Sequence, residues 1–587
     1  MKMINRLVPL FVLALAGCAT TQVSQQDQQS TKEPVVEKKQ VAVAKPEVPK
    51  VELPDVSLSG DMLHDLLLAD IAFKRGHTAL SVKLYSQIAH KTRDPRLAES
   101  ATRIANYADM TTEALKAAEL WVEVDPENVE ARQLLTALLV KGGESGSALD
   151  HLEHILESEG ESGNGFRVVA SLLSRERDKS VALGLMKQLV EKHNHNPEAY
   201  LALSHLAVRL GEYEEAQTAV NRALELKPKW ETAFLQYVRI QVTQGKNVQA
   251  LESLKQAIEE QPDSIEYRHF YARLLMDQER MQEAYEQFKI IVEKQPENED
   301  SLFALGFIGL QLNYLDEAEN YFVRLKQNGG GRGYEISYYL GRLEELRGNI
   351  EKARRWYGSI TQGEHFINAQ IRIIALTSQE GDLEKARIMI QELKSVRPAQ
   401  KLRLDLVEGE ILIDHEKYEE AMALYNKALE DVPENADLLY ARSMVAEKLG
   451  DLETLEKDLR LILARDPNNA EALNALGYTL ADRTNRYDEA YELISRAIEL
   501  RPNDYFILDS MGWILYKRGE HEEALKYLRR ALDLKQDAEI AAHLGEVLWV
   551  MGDKDGAQAV WQKALEVGEV PASKSKIITE VMERLQQ

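Results

Sequence analysis

Residues 197–230 read PEAYLALSHLAVRLGEYEEAQTAVNRALELKPKW, and this stretch decides the fold class. An apolar stripe at the three- and four-residue spacing of an α-helix is formed by Tyr200, Leu203, Ala207 and Leu210. Gly211 ends this helix, a second amphipathic helix follows over 213–224, and Pro228 stops it. The stretch therefore predicts a helix-turn-helix hairpin that is apolar on both sides and has to stack on its neighbours.

The hairpin pattern returns with a period of 34 residues. Small residues share this register at Ala216, Ala250, Ala284 and Ala318. Eight of the 16 prolines lie on the same lattice, namely Pro126, Pro228, Pro262, Pro296, Pro398, Pro433, Pro467 and Pro502. Because a period of this length indicates stacked supersecondary units, we predict an all-α repeat protein.

The most regular units carry a common motif. The pair Leu476-Gly477 is followed by Ala490, Ala497 and Pro502. The pair Met511-Gly512 is followed by Gly519, Ala524, Leu528 and Ala531, and the pair Leu544-Gly545 by Gly552, Ala557, Trp561 and Ala564. This pattern resembles the tetratricopeptide repeat. The resemblance implies a superhelical solenoid of tetratricopeptide helix-turn-helix repeats.

The register also places the repeats along the chain. Eleven well-formed units are predicted within 197–568, and they begin near Pro197, Glu231, Ile265, Glu299, Tyr334, Ile367, Leu402, Ala436, Ala470, Tyr505 and Ala538. About four degenerate repeats are predicted before them, over 58–196. Because a terminal repeat needs a cover for its exposed apolar face, residues 569–587 are predicted to form a capping helix.

The N-terminus has the pattern of a targeting segment. Lys2 and Arg6 precede an apolar stretch over 7–16, which is too short to span a bilayer. The following Leu-Ala-Gly-Cys sequence, ending at Cys18, resembles the lipobox of bacterial lipoproteins. The resemblance implies a signal peptide over 1–17 and lipid attachment to the Cys18 thiol. Ala19 after the cysteine implies sorting to the outer membrane, on its periplasmic face.

A linker is predicted over 18–57. This segment is rich in Gln, Lys, Glu, Val, Ser and Pro, has no aromatic residue and shows no helical apolar stripe. About 40 flexible residues reach roughly 35 Å root-mean-square. We therefore expect the repeats to be tethered at some distance from the membrane.

Charge and composition restrict the chemistry. The chain has 96 Asp plus Glu against 72 Lys plus Arg, a formal net charge of -24, so nucleic acid is not an expected partner. The single cysteine, Cys18, excludes an intrachain disulfide and a cysteine-ligated metal cluster. His151 and His154 lie three residues apart, but surface histidines are favoured over a metal pair because no third ligand is evident. We predict no enzyme activity, no cofactor and no metal site.

A binding groove is the remaining candidate for function. In tetratricopeptide superhelices the first helix of each hairpin lines the concave side, and transferring those positions onto this sequence gives a candidate protein-binding groove. Its predicted residues are Phe303, Phe307, Tyr338, Tyr440, Tyr478, Trp513, Tyr516, Trp549, Arg239, Arg273 and Arg342. Tyr, Trp and Arg often dominate binding energy, although an aromatic at helical spacing can equally belong to the core between repeats.

The layout of lipobox, linker, repeats and length resembles outer-membrane tetratricopeptide lipoproteins that partner periplasmic carboxyl-terminal processing proteases. The resemblance implies a membrane-anchored periplasmic adaptor that brings cell-wall hydrolases to such a protease. An alternative is an assembly lipoprotein for a pilus, a secretin or an exopolysaccharide export system. A cell-wall enzyme is disfavoured because the repeats leave no segment for a catalytic domain.

Replacing Cys18 by Ser should release the protein from the outer membrane, because no other segment is predicted to hold it there. The measurement is fractionation of cell envelopes, with immunodetection of the wild-type chain and the Cys18→Ser variant. If the variant stayed in the outer membrane after partner proteins had been removed with salt, the predicted anchor would be wrong.

Overall fold

The computed structural model describes residues 54–158, 164–176, 178–327, 332–566 and 572–586. These residues form 31 α-helices and contain no strand. The predicted signal peptide, Cys18 and most of the predicted linker lie outside the described residues. Within the part of the chain that is described, no helix combines the length and the apolar character needed to cross a membrane.

The helices belong to two compact units, and each unit is described separately. The N-terminal unit (54–327) contains α1 (Gly60–Lys74), α2 (Thr78–Thr92), α3 (Pro95–Tyr107), α4 (Thr111–Val124), α5 (Val129–Lys141), α6 (Ser145–Ser158), α7 (Asn164–Leu173), α8 (Lys179–Lys192), α9 (Pro197–Leu210), α10 (Tyr213–Leu226), α11 (Glu231–Thr243), α12 (Asn247–Glu260), α13 (Ile265–Asp277), α14 (Met281–Lys294), α15 (Glu299–Gln311) and α16 (Leu315–Gln327).

The C-terminal unit (332–586) continues the series. It contains α17 (Gly333–Leu346), α18 (Ile350–Gly358), α19 (Phe366–Gln379), α20 (Leu383–Val396), α21 (Lys401–Asp414), α22 (Tyr418–Asp431), α23 (Ala436–Leu449), α24 (Leu452–Arg465), α25 (Ala470–Arg483), α26 (Tyr487–Leu500), α27 (Tyr505–Lys517), α28 (His521–Leu534), α29 (Ala538–Val550), α30 (Lys554–Glu566) and α31 (Ala572–Gln586). A short 3₁₀-helix, Pro398–Gln400, precedes α21.

Each odd-numbered helix up to α29 packs against the even-numbered helix that follows it, which gives a series of helix-turn-helix hairpins. We call the odd-numbered member of each hairpin its first helix and the even-numbered member its second helix. The predicted unit starts lie within one residue of the starts of the first helices from α9 to α29. The predicted all-α solenoid of helix-turn-helix repeats is confirmed.

The ends of the first helices follow from local chemistry. Asn196 caps α9 by accepting a hydrogen bond from the backbone N–H of Glu198 at 2.9 Å, and Asn435 caps α23 by accepting one from Leu438 at 3.0 Å. At the other end of α9, Gly211 has φ of 83°, a left-handed conformation that glycine adopts at little cost. These caps and turns set the length of each hairpin.

The two helices of several hairpins approach each other at a glycine. In six first helices a glycine faces a large side chain of the second helix, in the pairs Gly306–Phe322, Gly341–Tyr357, Gly409–Tyr425, Gly477–Ile494, Gly512–Leu528 and Gly545–Trp561. A Cβ atom on Gly306 would lie 2.6 Å from the Phe322 ring. These glycines are therefore required by packing inside the hairpin.

The final helix, α31, packs against α29. Ile578 of α31 is fully buried, and the Arg584 guanidinium donates a hydrogen bond to the Glu546 carboxylate at 2.5 Å. The helix thereby contributes apolar and charged contacts to the last hairpin.

Replacing Gly512 by Ala should destabilise the C-terminal unit by about 1–3 kcal/mol, because the added Cβ would overlap the fully buried Leu528 side chain. The matched control is Gly358→Ala at the end of α18, where a Cβ would meet nothing within 4 Å. The measurement is thermal or denaturant unfolding of both variants. Equal stability of Gly512→Ala and the wild type would show that this glycine is not a packing requirement.

Candidate functional site

The first helices of neighbouring hairpins contact one another within each unit, as in α9–α11–α13 and in α25–α27–α29. We call the surface that they form the first-helix face. Residues at one position of consecutive repeats come together on this face, since the repeats stack in register.

In the N-terminal unit the first-helix face carries a column of residues spaced by 34. The column consists of His205, Arg239, Arg273 and Phe307. Arg239 is exposed, whereas the other members of the column are half-buried. The Arg239 guanidinium lies 5.8 Å from the centre of the Phe270 ring, in a cation-π contact.

The charge around His205 is positive. Burial lowers the pKa of His205 to about 4, and the nearby cations Arg239, Arg209 and Arg167 act in the same direction. All three arginines are exposed, and none forms an ion pair with another described residue. This part of an acidic protein is therefore a cationic patch, and its imidazole is neutral at neutral pH.

His205, Arg167 and Arg209 are absent from the groove predicted from the sequence. The register could have indicated His205, because it lies 34 residues before Arg239. Arg209 lies four residues after His205 on α9, so helical spacing could have indicated it. Arg167 lies on α7, and only the packing of α7 against α9 brings it to the imidazole.

Three of the predicted groove aromatics are buried instead of exposed. Phe303, Tyr338 and Trp513 are only 5%, 6% and 4% exposed, respectively. Phe303 packs edge-on against the Phe322 ring at 6.1 Å, and Tyr338 stacks on His365 at 5.0 Å. For these three residues the groove assignment is wrong and the core alternative holds, because Phe322, His365 and His543 pack against their rings.

The other predicted aromatics, Phe307, Tyr440, Tyr478, Tyr516 and Trp549, are half-buried. The Tyr516 hydroxyl donates a hydrogen bond to Glu546 at 3.3 Å, and the Lys554 ammonium lies 4.8 Å from the centre of a Trp549 ring. These side chains keep some contact with solvent, and their role in binding stays a prediction.

Arg342 is half-buried on α17 and lies near a second arginine of the next first helix. Burial lowers the pKa of Arg372 to about 10, and the Arg342 charge adds to this effect. Arg372 also donates a hydrogen bond to the Glu345 carboxylate at 3.1 Å. Arg372 therefore forms a structural ion pair, whereas the groove role of Arg342 stays a prediction.

A cavity of about 660 Å³ opens on the first-helix face of the C-terminal unit. We call it the α23–α27 cavity. One column of repeat positions, spaced by 34 and 35 residues, contributes Tyr440, Asn474 and Asp509 to its lining. Further apolar and aromatic lining comes from Met444, Tyr478, Tyr505 and Phe506.

Charged residues at this cavity are mainly acidic. The carboxylates in its lining are Glu447, Glu471, Asp504, Asp509 and Glu539, and the ammonium groups are Lys448 and Lys535. Burial raises the pKa of Tyr478 well above its usual range, and the nearby carboxylates, including those of Glu539, Asp509 and Glu447, raise it further. The cavity therefore has a negative electrostatic potential around the Tyr478 ring.

A buried ion pair supports one wall of the cavity. The His543 Nδ1 lies 3.0 Å from both Asp509 carboxylate oxygens, and the Trp513 ring stacks on the imidazole at 4.2 Å. Burial, the largest effect, lowers the pKa of His543, but the charge and hydrogen bonds of Asp509, with Glu539 and Glu546, outweigh it and raise the pKa above its ordinary value. By stacking on His543, Trp513 thus helps to hold the imidazole against the Asp509 carboxylate.

In the histidine pair of the N-terminal unit, His151 contacts an arginine, whereas the Nδ1 of His154 is buried without a hydrogen-bond partner among the described residues. Arg132 lies 3.4 Å from the Nδ1 of His151, and burial followed by the Arg132 charge lowers the pKa of that imidazole. In the described part of the chain, no group of three His, Cys, Asp or Glu side chains could hold a metal ion.

Five segments of the chain match tetratricopeptide-repeat family models. They are residues 177–236, 241–306, 406–454, 456–505 and 505–538. These matches agree with the hairpin register in both units, so the matched segments consist of tetratricopeptide repeats, which are typical of protein-interaction scaffolds.

Relatives with curated descriptions match part of the chain. Over 209 residues the chain is 46% identical to a TPR repeat-containing protein of Pseudomonas aeruginosa. This match covers 36% of this chain and 35% of the relative. Over 208 residues the chain is 26% identical to a protein O-mannosyl-transferase of Homo sapiens. This match covers 34% of this chain and 23% of the relative. The chain therefore spans about a third of the first relative and less than a quarter of the second.

Among solved structures, yeast Tom70 is similar over 90% of this chain and 96% of its own length, with 13% sequence identity and a TM-score of 0.33.

The His543–Asp509 pair should make the stability of the C-terminal unit depend on pH. Because the pKa of His543 is raised on folding, the pair stabilises fully below the unfolded value of about 6.5 and loses its contribution as pH rises through the folded value. Thermal unfolding between about pH 5 and pH 8 should therefore show a larger decrease for the wild type than for His543→Gln. Parallel pH profiles of the two proteins would contradict the raised pKa.

Proposed function

We propose that the protein is a lipid-anchored periplasmic adaptor that binds protein partners on its first-helix faces and brings cell-wall hydrolases to a carboxyl-terminal processing protease. The observation that carries the proposal is the convergence of side chains from consecutive repeats into continuous patches on these faces. The α23–α27 cavity draws its lining from four hairpins, including Glu539 of α29, and the cationic patch around His205 draws on three.

The binding part of the proposal follows from the type of repeat. Tetratricopeptide repeats suggest a protein-interaction scaffold, and the family models that match this chain are all repeat models. Aromatic and arginine side chains are the ones that most often anchor a protein interface. Both kinds lie on the first-helix faces, at Trp549 and Arg239 for example.

The two-partner part of the proposal is supported by charge. The patch around His205 is cationic, whereas the α23–α27 cavity is acidic. Surfaces of opposite charge favour partners of opposite charge. A protein that binds a protease through one surface and its substrate through another raises their effective concentration without any chemistry of its own.

The membrane part of the proposal is supported by the sequence before the repeats. The segment ending at Cys18 resembles a lipobox, and the linker that follows allows roughly 35 Å of reach. Such a tether would keep the first-helix faces in the periplasm and within reach of cell-wall proteins.

Purified protein should leave a cell-wall hydrolase intact but should accelerate its cleavage by a carboxyl-terminal processing protease from the same cells by about ten-fold or more. The assay follows intact hydrolase by gel over time, with each component omitted in turn. Cleavage at an unchanged rate, together with co-purification of secretin, pilus or polysaccharide-export components, would contradict the adaptor function and support the assembly alternative.

Replacing Trp549 by Ala should weaken binding of one partner by about 2 kcal/mol, or about thirty-fold in Kd, if this side chain is an interface anchor. The matched control is Trp356→Ala, since Trp356 is also half-buried but lies on a second helix. Kd values for protease and hydrolase are measured by calorimetry, and unfolding curves check that both variants are folded. An equal loss of affinity in both variants would show that Trp549 is not part of the proposed interface.

A further inference from the structure

The α23–α27 cavity has walls that suit one kind of side chain. Aromatic rings from three consecutive first helices stand around it, at Tyr440, Tyr478, Tyr505 and Phe506. The rings of Tyr505 and Phe506 lie 4.3 Å apart and form one continuous aromatic wall. Ring faces attract cations as well as apolar groups.

The charges of the cavity are arranged by depth. Asp509 is buried, and Glu447 and Asp504 are half-buried. The exposed charges at the mouth are Glu471, Glu539, Lys448 and Lys535. A charge interacts more strongly where water is excluded. The Asp509 charge is compensated by His543, whereas Glu447 has no ion-pair partner among the described residues. Glu447 therefore contributes most to the potential that a bound group experiences, and the lysines lie where solvent screens them.

The cavity lining also includes a buried amide oxygen that has no hydrogen-bond donor. The Asn474 Oδ1 is buried and has no hydrogen-bond partner among the described residues. A buried acceptor without a donor is unfavourable. A ligand N–H group would remove this cost once the Asn474 amide turns toward it.

Together these features match a cationic side chain with a long apolar stem. We infer that the α23–α27 cavity binds a lysine or arginine side chain of an extended segment from a protein partner. The inference rests on the proposed binding of proteins to the first-helix faces and adds the chemical class that this face recognises.

The mode of binding follows from the groups present. The aliphatic stem would lie against Met444 and the tyrosine rings, and the charged end would approach the Glu447 carboxylate. An acidic segment is disfavoured because the inner carboxylates would repel it. First helices about 10 Å apart place three of them across roughly 20 Å, which an extended chain covers in about six residues.

The test uses the full chain and labelled peptides of about nine residues. The first peptide contains Gly, Ala and Ser with two Arg residues, and the second has citrulline, the uncharged analogue, in place of both. Binding is measured by fluorescence anisotropy at about 0.15 M salt, where charges beyond roughly 8 Å are screened. We expect the arginine peptide to bind at least about ten-fold more tightly than the citrulline peptide.

Matched variants distinguish peptide binding at the cavity from non-specific attraction to the negative net charge of the protein. The double variant Glu447→Gln, Glu539→Gln changes two carboxylates of the cavity, and the control Glu430→Gln, Glu499→Gln changes two exposed carboxylates on second helices. Both variants alter the net charge equally. The cavity variant should lose about ten-fold in affinity for the arginine peptide, and the control should bind like the wild type.

Several outcomes would overturn the inference. Equal binding of the arginine and citrulline peptides would exclude recognition of the cation, and equal loss in both variants would show non-specific attraction. Tighter binding of a third peptide, with Glu in place of both Arg residues, would show that the cavity prefers an anionic side chain. The protease assay is independent of these results: the peptide preference can hold with no protease bound, and accelerated cleavage can persist without the peptide preference.

Discussion

Close approach of the two helices within a hairpin is the constraint on which the rest of the structure depends. A glycine of the first helix faces a large residue of the second in hairpins of both units, as in Gly306–Phe322 and Gly545–Trp561. A Cβ atom on these glycines would lie under 3 Å from the opposing ring. Because the contact has no room for a methyl group, it fixes the rotation of each first helix about its own axis.

The same rotation decides which residues reach the first-helix face. Once the glycine is turned toward the second helix, other positions of the first helix face the adjacent hairpin or the solvent. Because the same helix rotation is repeated from hairpin to hairpin, Tyr440, Asn474 and Asp509 of three helices line one cavity. In the other unit this rotation brings Arg239 near His205. Packing inside the hairpin and the chemistry of the candidate surfaces are therefore linked.

The sequence predicts the fold well because its signal is repeated many times. Helix starts follow from the register of Pro228, Gly211 and their equivalents, and each repeat supports the assignment of the next.

The site is less predictable from the sequence, because an aromatic residue at a first-helix position is compatible both with a binding groove and with the core between helices. Trp513 is buried since the imidazole of His543 stacks on it, a contact between hairpins that a single repeat does not reveal. The cationic patch is less evident from the sequence, because Arg167 comes from another hairpin and reaches His205 only through the packing of α7 against α9.

The most direct measurement of the central claim is site-specific photo-crosslinking in intact envelopes. A photoreactive amino acid is placed at exposed positions of the first-helix face, Arg239 and Lys448, and at exposed positions of second helices, Glu430 and Glu499. The account predicts crosslinks to a carboxyl-terminal processing protease or a cell-wall hydrolase from the first pair only. Crosslinks to these proteins from the second helices alone would contradict the assignment of function to the first-helix faces.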